Sequence, residues 1–537
     1  MLGRRDPQLG LFDAQTLPHR VPADSFYGQM SAVYGMLFPD EDLEAMYDPD
    51  TGRPSLPPSL MCGVLLLQFY DNVSDDEAVQ RLQFDLRWKV ALHLPLDYGG
   101  FNASSLSVFR GRMVKHGEER YAFDRFIQVG REAGFIADKV TLLTDTTSVK
   151  GAGAVQNTYT LLRKGMRKLL RAMGYRLPGK RRGLSEQAKH LIATYLDQDK
   201  KADIDWSDAA QRKAQLGVLV EDAEAVLDWA LEHSDDADVR QVGWLLTKVL
   251  GDDVEDDTGG NTQLAHGTAQ DRIVSVTDPE MRHGRKSAAH RFDGFKASVS
   301  IDQESELILD ADDLAANAGD GQALMPSIER VEAHTDLVIE RAIGDGAYIS
   351  GDNLAACANH CDAQGQPQPI DLVGPLRQPA NPDVHKSAFE IDLEQQTCTC
   401  PQGYTVSGRV VKDKQRRDVL RFAFDRQGCE ACSRFADCVC SKKNGRTVTS
   451  HAHEALLRKA RARQQSDGFK ALYNPRSAVE RIIGELVRHG LRQTRYIGER
   501  KRRLQRLWTA AAVNLKRLFA LSQANNVDLT AVLATLA

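Results

Sequence analysis

A chain of 537 residues is too long for a single compact core, and its 42% hydrophobic and 27% charged residues are ordinary for a globular protein. A net charge of −5 excludes a uniformly basic binder of nucleic acid, and no apolar run reaches the roughly 18 residues that span a bilayer. The opening MLGRRDPQLG lacks the apolar heart of a signal peptide, so the expectation is a cytoplasmic chain with reduced cysteines and no membrane partner.

Residues 1–137 read as short helices. Pro57 and Pro58 precede an apolar helix over about Leu60–Tyr70, Ser74 and Glu77 form an S-x-x-E capping box, and further helices follow Ser104–Ser105 and span Glu118–Ala133. This pattern suits a DNA-binding domain of helix-turn-helix character, and equally any small helical domain. At Lys139–Val149 the β-branched run KVTLLTDTTSV predicts a buried strand that carries one acid. Residues 152–270 read as a helical insertion, with helices over Tyr159–Met173 and Ala210–His233 and a Gly/Asp-rich linker at Gly251–Asn261. Strands are expected at Arg272–Val276, Phe295–Asp302, Leu307–Ala311, Leu337–Ile343 and Ile370–Val373, with helices near Leu324–Ala333 and Asn353–Cys361. Residues 138–151 and 271–377 therefore form an α/β core. Residues 378–450 form a Cys-rich insertion, and 451–537 are helices that complete the core and contact DNA.

Charge is unevenly spread. Leu161–Gly183 contains Arg163, Lys164, Arg167 and Lys168 among nine basic residues and no acid; Arg476–Arg517 is similarly basic, and the compensating acid lies mostly in Asp203–Asp257. Local basic patches attract phosphate whatever the total charge, and the same residues also make solvated helix faces.

Asp145 stands inside an apolar strand and Asp345 at the end of another, followed by the small-residue turn Gly346–Ala347. A buried lone carboxylate is costly unless it is paired or binds a cation, although a strand-end Asp often caps a turn. Tyr473, Arg476 and Glu480 form Y-x-x-R-x-x-x-E, with Arg476 and Glu480 one helical turn apart. In order, LLTDTTSV, RIVSVTDPEMRHGRKS, FDGFKASVSID, ERAIGDGAYIS and YNPRSAVERIIGELVRHGLRQTRYIG resemble the blocks of bacterial insertion-sequence DDE transposases, the cut-and-paste group with a Tyr-Arg-Glu-Lys signature. The resemblance implies a ribonuclease H-like core, a catalytic triad of Asp145, Asp345 and Glu480 holding two Mg²⁺ (or Mn²⁺) ions, and double-stranded DNA as substrate. It also implies cleavage and strand transfer at terminal inverted repeats by a homodimer in a synaptic complex. Tyr473, Arg476, Lys286 and Lys296 then become DNA contacts. The signature's Lys position holds Val487; Arg488 beside it is the substitute, rotated by about 100° around the helix.

Cys398-x-Cys400, Cys429-x-x-Cys432 and Cys438-x-Cys440 pair at short spacing and read as a structural Zn²⁺ site, with Cys398, Cys400, Cys429 and Cys432 the expected ligands and the choice of four open, or else as reduced, partly buried thiols. Two other functions share these features: a ribonuclease H-like nuclease without strand transfer, and a catalytically silent DNA-binding derivative.

Overall fold

The computed structural model describes residues 1–4, 18–50, 52, 54–198, 201–233, 235–287 and 289–536. Its centre is a mixed six-stranded sheet built around β1 (Lys139–Lys150). Leu142, Leu143 and Thr144 are wholly buried, so this strand is covered on both faces, as its unbroken apolar run demands. The helical insertion leaves after β1 and ends in a hairpin of β2 (Val254–Asp256) and β3 (Thr262–Leu264). The sheet resumes with β4 (Arg282–Arg285), β5 (Arg291–Asp302), β6 (Ile308–Ala315), β7 (Val338–Ile343) and β8 (Asp371–Val373). β5 is antiparallel to β1 and carries β4 and β6 along its other edge, whereas β7 and then β8 continue from β1 in parallel.

Gly294 makes the β1–β5 pairing possible. Its φ of +148° and the Val149 carbonyl only 2.3 Å from where a Cβ would sit leave no room for a side chain. The expected strand at Arg272–Val276 is not one. Ile273, Val274, Ser275 and Val276 are buried but join no ladder; instead Gln156 donates from its backbone to Val274 and accepts from the Val276 amide through its side chain. A neighbouring loop thus does for this apolar segment what a strand would have done.

The insertion has its own core. Leu162, Met166 and Leu169 of the Thr158–Ala172 helix meet Leu219 and Val226 of Ala209–Leu231 and Leu246 of Ala237–Asp253. The last helix was not expected, and the supposed linker at Gly251–Asn261 is its final turn followed by the β2–β3 hairpin.

A single larger core joins the N-terminal helices, the sheet and the C-terminal helices. Ser74 caps the Asp75–Phe84 helix by accepting from the Glu77 amide at 3.2 Å, but the reciprocal half of the box is replaced: Glu77 pairs with Arg81. Trp508, at the middle of the long Glu499–Asn525 helix, is wholly buried in this core. Six residues on, the Asn514 side chain donates to the Ile308 carbonyl and accepts from the Ile308 amide, so it satisfies backbone groups of β6 that face the helix.

Beyond β8, the chain makes a second, five-stranded antiparallel sheet of β9 (Glu390–Asp392), β10 (Thr397–Thr399), β11 (Thr405–Lys412), β12 (Asp418–Ala423) and β13 (Thr447–Thr449). Its core is small: Phe389, Ile391, Cys398, Leu420, Phe422, Phe424 and Val448. Among the described residues, no helix is long and apolar enough to cross a membrane.

Candidate active site

The parallel pairing of β1 with β7 sets Leu143 opposite Ile343. Two residues further along each chain come Asp145 and Asp345, so the register alone brings these acids to the same end of the sheet. Gly344 keeps the turn tight: a Cβ there would lie 2.7 Å from the Tyr348 ring, which is wholly buried beneath the acids. Asp345 accepts from the Ala347 amide at 2.8 Å, and this holds its carboxylate at the head of the turn.

The third acid arrives on the Ser477–Arg488 helix, which packs on β1 and β5. Arg476, at the mouth of that helix, donates from one guanidinium nitrogen to Asp145 at 2.8 Å and from the other to Glu480 at 2.6 Å. Asp145 and Arg476 are 17% and 12% exposed, whereas Glu480 is 59% exposed and reaches solvent. Burial raises the Asp145 carboxyl above its ordinary range; Arg476 and the Thr146 amide pull it down, and the charges of Asp345 and Glu480 push it up again. Burial also raises the Tyr473 phenol, which senses Arg476, Asp345, Glu480 and Asp145 in turn. All five residues therefore share one electrostatic neighbourhood. Burial opposes the Arg476 charge, yet Asp145, Tyr473 and Glu480 together stabilise it more strongly.

Among the described residues, no three His, Cys, Asp or Glu side chains stand at metal-ligating spacing. Here the guanidinium lies between two carboxylates and neutralises them. The donor set itself, carboxylate oxygens in a partly desolvated cleft with more acid than base, fits a hard divalent cation.

The other candidates divide. Lys296 lies on β5, but its ammonium is tied to the Ala318 carbonyl and Asp320, each at 2.7 Å. Lys286 is exposed in the β4–β5 turn. Val487 packs against the main core, which explains an apolar residue there, while Arg488 is exposed at the end of the helix. Arg163, Lys164, Arg167 and Lys168 lie half-buried on the first helix of the insertion, with Lys168 donating to the Val276 carbonyl at 3.1 Å. Two residues without a role in the sequence reading belong to the site. Tyr348 is one; Arg492 is the other, an exposed residue whose Nε donates to Thr147 on β1 at 3.2 Å. A pairing of Lys150 with the Arg492–Thr494 segment brings it there, and the local sequence around Arg492 carries no sign of that contact.

Two family models match the chain: a transposase DDE domain over residues 399–519 and a transposase domain (DUF772) over residues 15–112. The two matches support an insertion-sequence DDE transposase. No curated protein and no solved structure matches it. The DDE-domain match contains Tyr473, Arg476 and Glu480, while Asp145 and Asp345 lie outside both matched segments. For these two acids the argument rests on the β1–β7 register and, for Asp145, on the Arg476 contact.

The same DDE-domain match contains Cys400, Cys429 and Cys432, three of the four cysteines expected as zinc ligands. Cys398 is wholly buried on β10 among Phe389, Ile391 and Phe422. It is a core residue. Cys438 instead joins Cys400, Cys429 and Cys432 around one cavity.

Proposed function

We propose that this chain is an active transposase: it binds the terminal inverted repeats of its element as double-stranded DNA and cuts and joins strands by metal-dependent phosphoryl transfer. The observation that carries this reading is Arg476 bridging Asp145 and Glu480 at the end of the sheet where the β1–β7 register also brings Asp345, close enough for its charge to raise the Asp145 carboxyl. The strand order β6-β5-β1-β7-β8, antiparallel on one side of β1 and parallel on the other, supports a ribonuclease H-like core over 138–151 and 271–377. On this reading, 1–137 and the basic insertion helix grip DNA, and a homodimer synapses two ends.

Asp145, Asp345 and Glu480 would hold Mg²⁺ or Mn²⁺, which when bound activates the attacking oxygen and stabilises the leaving oxygen of an in-line displacement. Arg476 exchanges a carboxylate for a phosphate oxygen of the DNA, a substitution that its forked donors suit. Tyr473 orients the same strand, and Arg488, Arg492 and Lys286 supply positive surface beyond it. Water is the nucleophile when the element's end is cut, and the freed 3′-hydroxyl is the nucleophile in joining.

The test incubates the protein with its element's ends, Mg²⁺ and a target plasmid. Joined products are expected. Cleavage without joining would favour the nuclease reading, and DNA binding with neither would favour a silent derivative.

A further inference from the structure

The apolar cluster of the β9–β13 sheet numbers seven buried residues, few to hold so large an insertion without a staple. All nine cysteines of the chain are free thiols, so no disulfide supplies one. At one end of this sheet lies a cavity of about 390 Å³, lined by Cys400, Cys429, Cys432 and Cys438 together with Tyr404, Phe424 and Arg446. The four thiols come from three separate pieces of chain.

Two of those pieces have the backbone form of a metal knuckle. After Cys400, the sequence Pro401-Gln402-Gly403 turns back, with the Gly403 amide donating to the Cys400 carbonyl and Gly403 at φ +83°. After Cys429, the Cys432 amide donates to the Cys429 carbonyl, and the Arg434 amide donates to the Cys432 sulfur at 3.4 Å. An amide aimed at a cysteine sulfur stabilises the thiolate, the form that binds metal. Cys438 follows on the short Phe435–Cys438 helix, close enough for its thiol to sense Cys429, Cys432 and Cys400.

We propose that Cys400, Cys429, Cys432 and Cys438 form a tetrathiolate site for one structural Zn²⁺, which clamps the β9–β13 insertion. The sulfurs line one cavity without standing at ligating spacing, so the four side chains would have to move toward the ion to bind it. Four thiolates with no open position make a structural rather than a catalytic centre. The site is independent of the acids at Asp145, Asp345 and Glu480.

The test measures zinc in the full-length purified chain by elemental analysis, and records the absorption spectrum after exchange of the metal for Co²⁺. About one zinc per chain and the intense thiolate-to-cobalt bands of a tetrahedral sulfur site are expected. Cys438→Ser and the double variant Cys429→Ser/Cys432→Ser should lose most of the metal, while Cys398→Ala should keep it. A metal-free wild type with no cobalt–thiolate bands would overturn the proposal. So would a Cys438→Ser variant that keeps its full zinc content. The cobalt spectrum of the wild type decides the matter even if a variant fails to fold.

Discussion

Arg476 is the residue on which the site's electrostatics turn. It holds the charge of a buried Asp145 that would otherwise face Asp345 and Glu480 unbalanced. Because the folded carboxyl of Asp145 is raised above its unfolded value, the folded protein binds more protons in the window between the two. Stability contributed there falls as pH rises through that window. Arg476→Ala widens the window upward and leaves a partly buried carboxylate without its partner. The expected loss at neutral pH is about 1–3 kcal/mol, shrinking toward acid, as urea titrations at two pH values would show. Where the protein cuts DNA, the acid limb of the rate should also move to higher pH in this variant; an unmoved limb would detach Asp145 from the reaction. Asp145→Asn and Glu480→Gln should each abolish Mg²⁺-dependent nicking while gel-shift affinity for the terminal repeat persists. Undiminished nicking in either would refute the assignment. At this scale much was legible: a lone acid in the run LLTDTTSV and the spacing of Tyr473, Arg476 and Glu480 are local signals. Arg492 was not legible, since Thr147 and Lys150 bring it to the site from chain far away in sequence.

At the scale of elements, strand register does the positioning. The β1–β7 pairing shifts register once, between Val140 and Thr141, and then runs in one frame to Leu143; a further slip of one residue would turn Asp145 to the opposite face of the sheet. The antiparallel pairing of β1 with β5 depends in turn on Gly294, against which the backbone of Val149 and Gly151 closes. Gly294→Ala should cost about 1–3 kcal/mol, read as a shift in urea midpoint at unchanged slope. The strands β1, β5, β6 and β7 were visible as apolar or alternating runs. The Ala237–Asp253 helix was hidden because exposed Trp244 and flanking acids blur its apolar stripe. Arg272–Val276 misled for the opposite reason: its side chains are buried as in a strand, but a glutamine side chain takes the ladder's place.

Across the whole molecule, one core ties together the N-terminal helices, the sheet and the last long helix, although the sequence reading treated them as successive units. Asn514 is a clear link, its amide serving both backbone groups of Ile308 at 2.8 and 2.9 Å. Asn514→Ala leaves those groups buried and unmet, with an expected cost of about 1–3 kcal/mol. Because the core is shared, near-UV and far-UV dichroism should lose their signals together in this variant; separate transitions would mean that the N-terminal helices fold apart from the sheet.

The contact of Arg476 with Asp145 spans 331 positions of sequence, and this has a consequence in time. A ribosome adding roughly 5–20 residues each second takes many seconds to travel from one to the other. Throughout that interval the emerging chain carries Asp145, and later Asp345, without the helix that supplies Arg476 and Glu480. A nascent or prematurely terminated product therefore lacks the Arg476 bridge between Asp145 and Glu480, and carries Asp145 without its counter-charge.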